Sequence, residues 1–253
     1  MLNNVGCVAR AALVLLTALC LPDAVPAKEL TWEGLKWAVK DLPSGGPGPN
    51  SWSADNVWLD TDGSKLHLTI SYDAATGKWD CAELSTVKQL GFGTYQFQVE
   101  SSLDYDANVV LGMFFYGSAD GVNEIDIEYS KWGKLGNANN ADYNVYPSKA
   151  GIANTAQFWH FPTPMTGSFT TQRITWRPTS LSFWDIGGHY PINVTRNVIH
   201  DWEFIPTDQA AIPQEPLSMH INLWLVGGQA PTNAQSVEVV ISAFQYIQDN
   251  MHP

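Results

Sequence analysis

The chain has 253 residues, with 13 Lys and Arg against 25 Asp and Glu and a formal charge of −12, a balance that repels nucleic acid and suits a neutral partner. Its three cysteines, Cys7, Cys20 and Cys81, are too few for a disulfide framework and form no zinc-binding cluster. No segment offers about 18 consecutive apolar residues, so a membrane-embedded chain is not expected.

The first element is Arg10 followed by an apolar run from Ala11 to Leu21 and then by Val25-Pro26-Ala27, the layout of a secretory signal peptide. The expected division is a signal over residues 1–27 and one domain over 28–253, exported to the exterior or the periplasm. Arg10 and Asp23 leave together, so the charge is unchanged, and Cys81 then stands alone. The remaining chain is long enough to bury one large core, and it is expected to act as a monomer. Pro43-Ser44-Gly45-Gly46-Pro47-Gly48-Pro49-Asn50 reads as a long surface loop, because only about fifteen exported residues precede it, too few for a separate domain.

Segments rich in β-branched and aromatic residues follow: Leu66 to Tyr72, Gly93 to Glu100, Val109 to Tyr116, Glu124 to Tyr129, Gln172 to Trp176, Leu181 to Trp184, His220 to Leu225 and Val237 to Ile247. Gly, Pro, Asn and Asp separate them and no helical period is sustained, which is the pattern of an all-β sandwich or barrel. Gly133 to Asn140 reads as a loop. The eleven Trp and nine Tyr exceed what a core needs. Flat amphipathic rings suit sugar faces, although burial is the ordinary fate of any one of them.

The most informative segment is Val122-Asn123-Glu124-Ile125-Asp126-Ile127-Glu128-Tyr129. Acid and isoleucine alternate with period two, so three carboxyls share one face and the isoleucines the other. Polar-out patterning alone gives such a strand. Three neighbouring acids repel one another, however, and no Lys or Arg alternates with them, which favours a functional face. A glycosidase that retains configuration needs two carboxyls about 5–5.5 Å apart, one to attack and one to donate a proton. Glu124 and Glu128 have Cα atoms about 13 Å apart on a straight strand, so their long side chains must lean together over the shorter Asp126. Close carboxyls cannot all ionise independently, which leaves a proton for the leaving group.

This Glu-x-Asp-x-Glu strand resembles the catalytic strand of glycoside hydrolase family 16, lichenase-like branch, within the concanavalin A-like glucanase superfamily. Cys81-Ala82-Glu83 with Gly91-Phe92-Gly93-Thr94-Tyr95, Arg173-Ile174-Thr175-Trp176-Arg177-Pro178 with Phe183-Trp184, and His220-Ile221-Asn222-Leu223-Trp224 resemble other segments of that family in order and spacing. The resemblance implies a jelly-roll sandwich of two antiparallel sheets with a concave substrate cleft. It also implies a secreted endo-β-glucanase acting on β-1,3-1,4- or related β-glucan, with Glu124 as nucleophile, Glu128 as acid and then base, and Asp126 between them. Glu83, Asn144, Tyr146, Asn222 and Trp224 match family positions that touch sugar, and Trp132, four residues past Glu128, is a candidate wall of the cleft.

Three departures bear on specificity. Val122 stands where the lichenase pattern has Trp, Ser85 where it has Arg, and Ser242 where the family's calcium site has Asp. No cofactor is therefore expected to be required, and a structural calcium would lack that ligand. The strand has no extra residue before Glu128, unlike laminarinases and agarases. A carbohydrate-binding lectin on the same sandwich and a xyloglucan-type transglycosylase are the alternatives, since fold does not fix function and the same acids serve both transfer and hydrolysis.

Overall fold

The computed structural model describes residues 28–119, 121–150, 157–164 and 167–249; the expected signal segment, residues 1–27, lies outside them. The strands in chain order are β1 (Glu29–Trp32), β2 (Leu35–Val39), β3 (Leu42–Gly45), β4 (Asn50–Trp52), β5 (Val57–Leu59) and β6 (Leu66–Asp73). They continue with β7 (Lys78–Thr86), β8 (Gly93–Glu100), β9 (Val109–Ala119), β10 (Val122–Tyr129), β11 (Ala141–Tyr146) and β12 (Gln157–Phe161). The last are β13 (Phe169–Arg177), β14 (Ser180–Gly187), β15 (Val198–Phe204), β16 (Ser218–Leu225) and β17 (Val237–Gln248). Among the described residues the helical pieces are three short 3-10 turns, and no described helix is long and apolar enough to cross a membrane.

The strands pair into two antiparallel sheets. One runs β1-β2-β7-β16-β9-β10-β11-β12. The other runs β5-β6-β17-β8-β13-β14-β15. Hairpin neighbours alternate with pairs distant in sequence, such as β7 with β16, β9 with β16 and β8 with β17, as in a jelly roll. The expected all-β sandwich is what the chain forms.

Period-two alternation decides which side chains fill the space between the sheets. Ile125, Ile127 and Tyr129 of β10, Met113 and Phe115 of β9, and Ile221 and Leu223 of β16 are all fully buried. They meet the inner face of the second sheet through aromatic contacts, with Tyr95 edge-on to Phe115 at 4.6 Å and Tyr143 stacked on Phe183 at 4.7 Å. Burying each such side chain contributes about 1.5–3 kcal/mol, so moving β10 by one residue would exchange its isoleucines for its acids and is strongly disfavoured.

Residues 43–50 are not a plain surface loop. Leu42 pairs with Trp52 and Gly45 with Asn50, making β3 and β4 a small antiparallel pair, and β4 adds in parallel to β7 through Ser51–Asp80 and Trp52–Cys81. Pro and Gly hid this pairing, because they weaken a strand and only a partner strand from elsewhere restores it. Cys81 is a buried free thiol.

Candidate active site

The outer face of the eight-stranded sheet carries the polar residues that alternate with the core. Strand register sets them in transverse rows. One row reads His160, Asp142, Glu128, Gly112, Asn222 and Glu83, on β12, β11, β10, β9, β16 and β7. The next reads Phe158, Asn144, Asp126, Phe114, His220 and Ser85 on the same strands. A third carries Tyr146, Glu124, Tyr116 and Ser218.

The pairing of β10 with both neighbours is regular from Glu124 to Tyr129, and the irregularity falls ahead of it, between Val122 and Glu124. Asn123 there adopts a left-handed φ of 51°. No bulge separates the acids, so all three keep one face. They line a cavity of about 600 Å³ together with Lys40, the turn Gly46-Pro47-Gly48, Glu83, Phe114, Tyr116, His220, Asn222 and Trp224. That size fits a small-ligand site.

The electrostatics of the acids follow from their enclosure. Burial pushes the Asp126 carboxyl well above its ordinary value, and the charges of Glu124 and Glu128 push it further. Burial likewise raises Glu128 to about 8, followed by the charge of Asp142 and then of Glu124. Glu128 keeps a partly exposed edge on the cavity while protein encloses its other sides. A carboxyl in that state holds its proton at neutral pH and can release it to a leaving group.

The remaining candidates divide. Asn222 lies 2% exposed on the cavity floor, and its side-chain oxygen has no hydrogen-bond partner among the described residues. Trp224 also lines the cavity but is 8% exposed, so little ring surface is open to a sugar. Glu83 is held by Lys40 at 2.8 Å and by His220 at 3.2 Å. Burial opposes its ionisation, but the His220 hydrogen bond and the Lys40 charge outweigh that and keep the carboxyl below its ordinary value.

Asn144, Tyr146 and Trp132 stand beside the cavity without lining it. The Asn144 amide donates to Glu128 Oε2 at 3.2 Å, Tyr146 packs edge-on to Phe158 at 5.6 Å, and Trp132 packs against Trp224 at 6.0 Å. Of the eleven tryptophans only Trp224 lines the cavity. Trp37, Trp52 and Trp176 are fully buried, so the aromatic surplus serves the core more than the cleft.

Several residues of the site escaped sequence reasoning. Lys40 reaches Glu83 from the end of β2 and also donates to the Gly46 carbonyl at 2.6 Å, fastening the turn that walls the cavity. Asp142 accepts a hydrogen bond from Trp132 Nε1 and shares another with His160 Nδ1. The alternations Asp142-x-Asn144-x-Tyr146 and His220-x-Asn222-x-Trp224 were usable signals for Asp142 and His220. His160 had none, because it meets Asp142 only through strand pairing.

At the place implied for calcium, the Ser242 hydroxyl donates to the Gln98 carbonyl at 3.3 Å. Among the described residues no three His, Cys, Asp or Glu side chains are grouped to hold a metal ion. Ser242 thus presents a hydroxyl where the resemblance implies a carboxylate.

The family model for glycosyl hydrolases family 16 matches residues 49–242. A β-glucanase of Paenibacillus macerans is 28% identical over 209 residues, which cover 78% of this chain and 77% of the relative. Among solved structures, a Bacillus licheniformis β-glucanase aligns with a TM-score of 0.61 at 22% identity, covering 84% of this chain and 92% of that one. An immunostimulatory antigen and pseudo β-1,3-glucanase of Mycobacterium tuberculosis aligns with a TM-score of 0.60 at 18% identity, covering 85% and 91%. At such identities the structural likeness speaks to the fold alone.

Proposed function

The chain belongs to glycosyl hydrolases family 16 and is a glycoside hydrolase of the β-glucanase kind, and from that premise we propose that it is a secreted endo-β-glucanase that cleaves β-1,3-1,4- or related β-glucan with retention of configuration. The single observation that carries the mechanism is the row of three acids on one face of β10, in which Glu128 is raised to about 8.

In this reading Glu124 attacks the anomeric carbon as a carboxylate, the glycosidic C–O bond breaks, and Glu128 gives its proton to the departing oxygen. Glu128, now ionised, takes a proton from the water that releases the glycosyl group from Glu124. Asp126, buried between them, couples the two. Its high proton affinity discourages a third negative charge when Glu128 ionises. Asn222, whose side-chain oxygen has no partner among the described residues, accepts from a sugar hydroxyl.

Two observations bear on the substrate. The curated relatives are β-glucanases, and one structural relative from Bacteroides ovatus is described as a mixed-linkage glucan enzyme. The absence of Trp at Val122 and of Arg at Ser85 removes a stacking ring and a fork of donors beside the nucleophile, and Lys40 and His220 occupy the Glu83 carboxylate instead. Subsite preferences on that side should differ from those of a lichenase. Export rests on the sequence of residues 1–27.

The test is incubation of the protein with mixed-linkage glucan, laminarin and xyloglucan, with product sizes read by mass spectrometry. Cleavage of one of them is expected, and Glu128→Gln should lower it by about 10²–10⁴-fold, with Glu124→Gln equally disabling. Undiminished reducing-sugar release by Glu124→Gln would overturn the mechanism, and binding without any cleavage by the wild type would mark a lectin.

A further inference from the structure

We propose that Asp142 is a positioning residue for the general acid, a fixed negative charge held by Trp132 and His160 directly across the β10–β11 pair from Glu128. The inference rests on the role proposed for Glu128.

Asp142 is 2% exposed, and both its oxygens are engaged by groups from other elements. The indole N–H of Trp132 donates to Oδ2, and Nδ1 of His160 meets Oδ1. The indole N–H only donates, so Oδ2 accepts, and an ionised carboxylate accepts at Oδ1 as well when His160 carries its proton on Nδ1. The three groups come from the loop after β10, from β11 and from β12, and the register His160–Asp142–Glu128 aligns two of them with the acid. Directly paired residues on adjacent strands have Cβ atoms about 4.5–5.5 Å apart, where like charges destabilise a sheet. A second carboxylate at that place therefore costs stability and gives Glu128 a reason to stay neutral.

The other groups around Glu128 do not supply this effect alone. On its own strand lie Glu124 and Asp126, from β9 come Gly112, Phe114 and, opposite Glu124, Tyr116, and β16 contributes Asn222, Trp224 and His220. His220 and Lys40 are engaged with Glu83 on β7. After burial, Asp142 is the largest influence raising Glu128, ahead of Glu124. Asn144 meanwhile donates to Glu128 Oε2 at 3.2 Å, which fixes the side chain's orientation. Asp142 and Asn144 thus act on the same carboxyl from one strand, Asp142 through its charge and Asn144 through its geometry.

Asp142→Asn removes the charge and keeps the shape. The experiment measures kcat/KM against pH and, separately, the titration of the Glu128 side chain by carboxyl 13C NMR in both proteins. The midpoint of Glu128 and the alkaline limb of the profile should both move toward acid by about one unit, so that activity above the wild-type midpoint falls about tenfold, the loss growing with pH. Rescue of the alkaline limb by Asp142→Glu is expected, since the charge returns. If Asp142→Asn does not fold, Asp142→Ser gives the same comparison. Equal Glu128 midpoints with and without the charge would overturn the inference. Failure of the proposed hydrolysis would instead appear as absent turnover in the wild type, whatever the NMR titration gives.

Discussion

Burial and its neighbours raise Glu128 from an ordinary 4.5 to about 8, so the folded chain holds a proton there that the unfolded chain releases at neutral pH. Between those two values the native state binds more protons than the unfolded one, and stability falls as pH rises through the window. Asp126, raised for the same reason of burial, acts in the same direction. Glu128→Gln removes that cost. Its melting temperature should match the wild type near pH 4 and exceed it at pH 8, by roughly 2–4 °C for each 1 kcal/mol recovered. Differential scanning calorimetry at the two pH values decides this, and a difference independent of pH would show that Glu128 carries no such cost. The three acids were legible in the sequence because their alternation with Ile125 and Ile127 is a local pattern. Which of them keeps a proton was not legible, since Asp142 reaches Glu128 only through the pairing of β10 with β11.

Strand registers turn these residues into a site, and Gly112 of β9 shows how closely the strands are fitted. It lies between Glu128 and Asn222 in the first row, and a Cβ added there would sit 2.4 Å from Asn222 Oδ1. Gly112→Ala must displace Asn222, and misplacement by about 1 Å is enough to cost on the order of 10²-fold in rate. Glucan cleavage should fall by at least about tenfold with circular dichroism unchanged, and adding Asn222→Ala should produce little further loss. Full activity of Gly112→Ala would mean that Asn222 has no part in the site. The strong strands β6, β8, β9, β10, β13, β14, β16 and β17 announce themselves by β-branched and aromatic alternation. The remaining strands do not, most of them short or at an edge, though β7 lies between β2 and β16. In β12 the run Gln157-Phe158-Trp159-His160-Phe161 places rings on both faces, with Phe158 and Trp159 both exposed, so no apolar face marks it as a strand. The pair β3 and β4 is hidden by Pro and Gly for the reason that only partner strands stabilise it.

Across the whole molecule, a polar chain runs through the core and ties the sheet that bears the acids to the one behind it. Tyr129 of β10 donates its hydroxyl to Gln172 of β13, Gln172 donates to Asp185 of β14 at 3.1 Å, and Thr163 donates to the other Asp185 oxygen at 3.2 Å. Burial raises Asp185 to about 6, against which these hydrogen bonds act. Gln172→Leu would leave Tyr129 and Asp185 without their shared partner, at about 1–3 kcal/mol for each buried group left unsatisfied. The urea midpoint should drop accordingly with an unchanged slope, and an unaltered midpoint would show that the chain of bonds contributes nothing. The sequence by itself determined that this protein is all-β and that Glu124, Asp126 and Glu128 share one face, because period two and apolar alternation are properties of neighbouring residues. Only the tertiary structure decided that His160, Asp142, Glu128, Gly112, Asn222 and Glu83 stand in a single row, and that Lys40 and His220 hold Glu83. Those contacts join strands far apart in the chain, and the hydrogen-bond register that aligns them is fixed by burying the opposite faces of all those strands at once.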